Sequence, residues 1–181
     1  MDKIKIHDKV FKPYINYEEL DVCIENVARK LDADFAGKDE VPVFLCVFNG
    51  AIMFTAELMK RVSFQAEIMS MKVSSYEGTN STGKVKVLSP LTGDVRGKSV
   101  IICEDIVDTG RTIIAMKQYL RDAGAKDVRV CTMLSKPGSY DKSLTLDYVG
   151  KEIENDFIVG FGLDYDELGR TLKDIYVIDN Q

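Results

Sequence analysis

The chain has 181 residues, of which 45% are hydrophobic, 29% charged and only 4 proline, which excludes a long disordered stretch and leaves room for one folded domain rather than two. A formal net charge of −5 argues against a nucleic-acid partner, because such a partner needs a basic face that displaces counterions. Phosphorylated small molecules stay open, since backbone amides and a magnesium ion hold phosphate without net positive charge.

The N-terminal stretch, residues 1–15, is mixed in polarity and has no continuous apolar run, and no segment approaches the length of a membrane span. A cytoplasmic protein without a membrane partner is the expectation. His7 is the single histidine, so neither a histidine metal site nor a histidine-based triad is available. Cys46, Cys103 and Cys131 sit inside apolar runs and, with Cys23, form no C-x-x-C pair, which reads as free thiols in a reducing compartment.

Residues 42–48 read as a buried strand, bounded by Pro42 and by Asn49-Gly50. Residues 51–62 follow as a helix, with Ile52, Ala56 and Met59 at helical spacing. The run 66–73 is a second strand. It leads into residues 74–84, a polar stretch holding Gly78, Asn80 and Gly83 and almost nothing to bury, as in a mobile lid. Residues 85–90 look like another strand, and 98–104 like a buried one. Asp105 to Gly110 is then a loop, and 111–124 a helix for which Gly124 suits the C-terminal cap. Residues 127–134 form the next strand, 135–143 a loop, and 146–150, 156–165 and 175–179 short strand-like pieces. Strands alternating with helices predict an α/β fold, a mostly parallel twisted sheet with helices on both faces. Without an internal repeat or linker, residues 1–181 are expected to form a single domain.

The most informative segment is Val100–Ile113. An apolar strand ends in two adjacent acids, Glu104 and Asp105, and Asp108, Thr109, Gly110, Arg111 and Thr112 then lead into a helix. In an open parallel sheet the ligand sits at the carboxyl ends of the strands, where these residues fall. Successive amides in a Gly-containing turn, joined to a helix N-terminus, suit a phosphate dianion, and the Thr109 and Thr112 hydroxyls add donors. The neighbouring acids suit cis-diol hydroxyls and a hard divalent cation. The plainer alternative is a helix cap with spare charges, but three crowded acids with only Arg111 among them would repel one another without a ligand or metal.

This segment resembles the binding motif for 5-phosphoribosyl 1-diphosphate of the type I phosphoribosyltransferases, and in particular of their hypoxanthine-guanine branch. The resemblance runs from about residue 40 to 178 through several motifs in the same order. It implies a small hood beside the sheet, a homodimer or homotetramer, and Mg2+ as cofactor. By the resemblance, Glu104 and Asp105 hold the ribose hydroxyls, directly or through magnesium. Asp108 lies near purine N7 as general base or proton acceptor, and Asp108 through Thr112 cradle the 5-phosphate. Residues 47–51 resemble the pyrophosphate loop, with a cis peptide between Phe48 and Asn49 ahead of Gly50. Asn49 stands where many relatives carry Lys or Arg, which removes a cation and leaves the backbone amides. Ser75 and Tyr76 match the pair that closes over the reaction centre, so residues 74–84 are expected to be poorly ordered without ligand. Lys136 matches the lysine that donates to O6 of a 6-oxopurine. Phe157 matches the residue that stacks on the base, Ile158 the backbone that reads its edge, Asp164 a magnesium ligand and Arg170 a pyrophosphate contact.

The resemblance implies transfer of a 5-phosphoribosyl group to a 6-oxopurine base, hypoxanthine or guanine, with release of pyrophosphate. A non-catalytic sensor of the phosphoribosyl donor on the same fold would need a DNA-binding domain or a basic face, and the length and charge leave room for neither. A dinucleotide-dependent oxidoreductase is excluded by the lack of a G-x-G-x-x-G after any strand. Lys136 separates 6-oxopurines from adenine, since an ammonium only donates and adenine presents an amino group there.

Overall fold

Alternation of side chains along the central strands decides the layers. The computed structural model describes residues 2–75 and 85–179, so Tyr76 and most of the expected lid, residues 76–84, lie outside the described residues. In the central sheet, β3 (Val43–Phe48) sends Phe44 to one face and Val43, Leu45 and Val47 to the other. β6 (Ser99–Val107) does the same, with Ile101 and Cys103 on the first face and Val100 and Ile102 on the second. The first face is covered by α1 (Tyr17–Phe35) and α2 (Ile52–Met59), the second by Ile113, Met116 and Leu120 of α3 (Arg111–Asp122). With β4 (Glu67–Ser75), β5 (Val85–Ser89), β7 (Asp127–Ser135) and β8 (Tyr148–Glu152), the sheet has the order β5-β4-β3-β6-β7-β8. All its pairings are parallel except β4 with β5. The α/β fold with helices on both faces is the one expected.

A second, antiparallel sheet joins the two ends of the chain. β1 (Ile4–Ile6) and β2 (Lys9–Ile15) pair with β10 (Ile175–Ile178) and β9 (Ile158–Val159), in the order β1-β2-β10-β9. Phe11, Val159, Tyr176 and Ile6 form its own small core. This is the hood that the resemblance implied.

Two local differences bear on the site. The strand expected to stop at Glu104 continues to Val107, because its ladder with β7 continues through Ile106↔Leu134 and Val107↔Ser135. Asp105 is therefore a strand residue rather than a loop residue. The α1 helix lay outside the sequence reading although its signals are present. Asn16 caps it by accepting from the Glu19 N–H, and Leu20, Ile24, Val27, Leu31 and Phe35 recur at intervals of three or four. Among smaller shifts, α2 ends at Met59, β8 starts at Tyr148, and Gly124, at φ 88°, follows the Ala123 cap of α3. Within 156–165 only Ile158–Val159 is strand, and the rest turns through isolated bridges. Among the described residues no helix is long and apolar enough to cross a membrane.

Candidate active site

The parallel strands end on one edge, and the acids of β6 come first there. Burial pushes Glu104 well above the usual carboxylate range, and Asp105 beside it acts in the same direction. One Glu104 oxygen, Oε2, is buried and has no hydrogen-bond partner. Burial also raises Asp105 to about 6, although the Ile106 N–H donates to its Oδ1 at 2.7 Å and favours the charged form. The unpartnered Glu104 oxygen, with the Asp105 carboxylate next in the chain, offers hard oxygen acceptors that suit hydroxyl groups or a hard cation.

The turn after β6 is three residues long. Gly110 takes the left-handed conformation, φ 72°, and caps α3, with its carbonyl accepting from the Ile114 N–H at 3.0 Å. A Cβ there would also meet Leu144 Cδ2 at 2.5 Å, so the loop before β8 closes tightly on the turn. Asp108 opens this turn, Thr109 and Arg111 are exposed, and the α3 N-terminus behind them presents its first amides. Across the edge, the Lys136 backbone N–H donates to Val107 O at 2.9 Å and thereby fixes the residue that follows β7. Its Nζ donates to Asp108 Oδ2 at 2.9 Å. The Lys136 side chain is only 9% exposed, whereas Asp108 is 47% exposed, so the carboxylate opens to solvent and the ammonium lies in its shelter.

The peptide between Phe48 and Asn49 is cis, as expected. Gly50 follows it, and a Cβ on Gly50 would fall on the Asp105 carboxylate. A Cβ on Gly162 would in turn fall on the Gly50 carbonyl, so three chain segments stack here without room for a methyl group. Arg170 Nη1 donates to Gly162 O at 2.9 Å, its Nη2 pairs with Asp164 Oδ1 at 2.8 Å, and its Nε is buried without a partner. Asp164 Oδ2 accepts from the Glu167 N–H at 2.8 Å. We expect Gly50→Ala to lower stability by roughly 1–3 kcal/mol and to reduce turnover, read by thermal melting and by assay. Gly138→Ala, with nothing within 4 Å of its Cβ, is the control for stability.

Phe157 is 42% exposed, with Phe11 and Tyr165 against its ring at 6.0 and 5.7 Å between centroids. The ring is thus only partly covered, and an aromatic ring suits stacking with a planar ligand. Ile158 is buried, and its backbone pairs with Val177. The structure thus brings Asp108 and Lys136 together where β6 and β7 end, with Glu104 and Asp105 three and two positions before the last residue of β6, and it brings Gly50, Asp164 and Arg170 together around Asp105. It does not converge Glu104, Asp105 and Asp164 into a preformed cage, since no three His, Cys, Asp or Glu side chains among the described residues form a metal-holding group. Ser75 is the last residue of β4, and its partner Tyr76 lies outside the described residues. Gly162 escaped the sequence reading. Its signal is the G-x-G of residues 160–162, which makes sense only once Gly50 is seen against it.

Residues 15–166 match the family described as "Phosphoribosyl transferase domain". The hypoxanthine-guanine phosphoribosyltransferase of Streptococcus thermophilus is 37% identical over 171 residues, covering 94% of each chain. That of Streptococcus agalactiae is 40% identical over 168 residues, covering 91% of this chain and 92% of the relative. Among solved structures, a hypoxanthine phosphoribosyltransferase from Staphylococcus aureus superposes with a TM-score of 0.86 at 32% identity, over 93% of this chain and 91% of that one.

Proposed function

The chain belongs to the phosphoribosyltransferase family, in its hypoxanthine-guanine branch, and from that premise we propose that it transfers the 5-phosphoribosyl group of 5-phosphoribosyl 1-diphosphate to a 6-oxopurine. Pyrophosphate leaves, and the product is the nucleoside monophosphate of purine salvage. The observation that carries the base class is the Lys136–Asp108 pair. A group that only donates and a group that only accepts meet at the ends of neighbouring strands, and a 6-oxopurine offers O6 to the first and a ring N–H to the second.

The remaining residues take the roles that the family resemblance implies, and their chemistry suits those roles. Glu104, which keeps one unpartnered oxygen, and Asp105, next to it on β6, receive the ribose hydroxyls. The Gly110 turn and the α3 N-terminus hold the 5-phosphate, with Thr109, Arg111 and Thr112 at hand. Phe157 gives the base a stacking face, and the backbone at Ile158 runs past its edge. As the ring nitrogen attacks C1 of the sugar and pyrophosphate departs from the opposite side, positive charge grows on the ribose. Asp108 then accepts the proton that the purine gives up, and Lys136 holds O6 so that the nitrogen stays aligned. Arg170, through its unpartnered Nε, and the backbone at Asn49 and Gly50 receive the leaving group.

The hard oxygens of Glu104, Asp105 and Asp164 suit Mg2+, which typically uses one or two carboxylates with substrate oxygens and water rather than an all-protein cage. When bound, it neutralises the charge that builds on the leaving pyrophosphate. Turnover is therefore expected to vanish on chelation and to return with magnesium.

The test is an assay of hypoxanthine, guanine, xanthine and adenine, each with the phosphoribosyl donor and magnesium, following monophosphate formation. Turnover of at least one 6-oxopurine with adenine inert is the expected result. Adenine used as well as the best 6-oxopurine would overturn the base class.

A further inference from the structure

The loop that carries Asp164 and Arg170 is held in an unusual shape from outside. Asp166 and Glu167 are successive non-glycine residues in the left-handed region, at φ 46° and 67°. Such backbone persists only where its surroundings over-determine it. Part of that determination is local: the Asp164 carboxylate accepts from Glu167, and Tyr165 and Leu168 exchange backbone hydrogen bonds of 2.8 and 3.1 Å.

The rest comes from the opposite end of the chain, the turn between β1 and β2. The Tyr165 hydroxyl donates to Asp8 Oδ1 at 2.7 Å, and Lys9 Nζ lies 5.0 Å from the centre of the Tyr165 ring. His7, itself left-handed at φ 51°, meets that ring edge-on at 5.5 Å and places Nε2 3.3 Å from Asp166 O. A Cβ on Gly169 would touch Ile6 Cδ1 at 3.2 Å, so β1 also lies directly against the residue before Arg170. The Tyr165 ring also meets Phe157 in a T-shape at 5.7 Å between centroids. One tyrosine thus links the hairpin turn to the loop of Asp164 and Arg170 and to the ring offered to the base.

We propose that Tyr165 and Asp8 are positioning residues for the transfer reaction. The Tyr165 hydroxyl, anchored on Asp8, sets the loop that meets the donor, and the Tyr165 ring sets Phe157 for the base. The inference rests on the phosphoribosyltransferase reading and adds residues that touch no substrate. It also predicts a division of labour within a single side chain. Tyr165→Phe keeps the ring and loses the anchor, so the Michaelis constant for the phosphoribosyl donor should rise about three- to tenfold, with that for the base within twofold. Tyr165→Leu loses both, so both constants should rise.

The experiment measures steady-state constants for donor and base separately, at saturating magnesium, in the parent chain and in Tyr165→Phe, Tyr165→Leu, Asp8→Ala and Asp8→Asn, with melting temperatures alongside. Asp8→Ala should match Tyr165→Phe, and the double change should be no worse than either single one, since the two remove the same hydrogen bond. Asn keeps the acceptor oxygen, so Asp8→Asn should recover most of what Asp8→Ala loses. An inactive parent chain overturns the enzymatic reading itself. An active parent with Tyr165→Phe and Asp8→Ala both unchanged, or with donor and base constants worsening together in step with the melting temperature, overturns the positioning role and leaves the enzymatic reading standing. Tyr165→Phe differs by one oxygen at a half-buried site, so a folded variant is expected, and Asp8→Ala at the exposed hairpin turn gives an independent measurement.

Discussion

Asp108→Asn should lower turnover by roughly 10²-fold or more while leaving the Michaelis constant for the phosphoribosyl donor nearly unchanged. The substitution is chosen for what it preserves. Asn keeps an oxygen that accepts from Lys136 Nζ, so the sheltered ammonium is not left without a partner. It cannot take up a proton at working pH, and the proton released by the purine then has no fixed acceptor. The donor contacts proposed above lie in the backbone of the Gly110 turn, in Glu104 and Asp105, and around Gly50 and Arg170, so the loss should appear in kcat rather than in donor binding. Steady-state kinetics with each substrate varied separately decides the matter. Turnover within a few-fold of the parent would remove Asp108 from its acid–base role.

Lys136→Ala should weaken base binding by about 1.5–3 kcal/mol, roughly ten- to 150-fold, because a charged hydrogen bond to O6 is lost. Two complications can be separated by design. The aliphatic stem of Lys136 is buried, so Ala also removes packing, whereas Lys136→Met retains the stem and removes only the charge. The Asp108 carboxylate loses its partner in both variants, but it is half exposed and water can replace the ammonium. Met and Ala should therefore share the rise in the base constant and differ in melting temperature. An effect confined to the donor would contradict the assignment of Lys136 to the base.

Much of this site is legible in the residues themselves because its chemistry is local. Glu104-Asp105 and Asp108–Thr112 fall within nine consecutive positions, on the end of one strand, a short turn and the start of a helix. Lys136 follows a strand of clear apolar character, and parallel pairing places the ends of neighbouring strands side by side, so its approach to Asp108 follows from the sheet. The cis peptide at Asn49 was reached through the resemblance alone. No property of the residues 47–51 read one by one distinguishes it.

By itself, then, the sequence determined the layered α/β class, the order of the strands and turns, and the chemical groups at the carboxyl edge. Period-two and helical hydrophobic patterns and turn residues are properties of short stretches, and short stretches can be read in isolation. Tertiary structure alone decided the rest. The hood needs β2 to pair with β10, where Ile15 meets Ile175, and neither short strand announces a partner so far along the chain. Asp105, Gly50, Gly162 and Arg170 come from separate segments, and only their stacking explains why two of them carry no side chain. The extension of β6 to Val107 was settled by hydrogen bonds to β7 rather than by any preference of Asp105 for extended backbone. The hold of Asp8 on Tyr165 is of the same kind, a single hydrogen bond across 157 positions, formed because the sheet of the hood brings the two ends of the chain together.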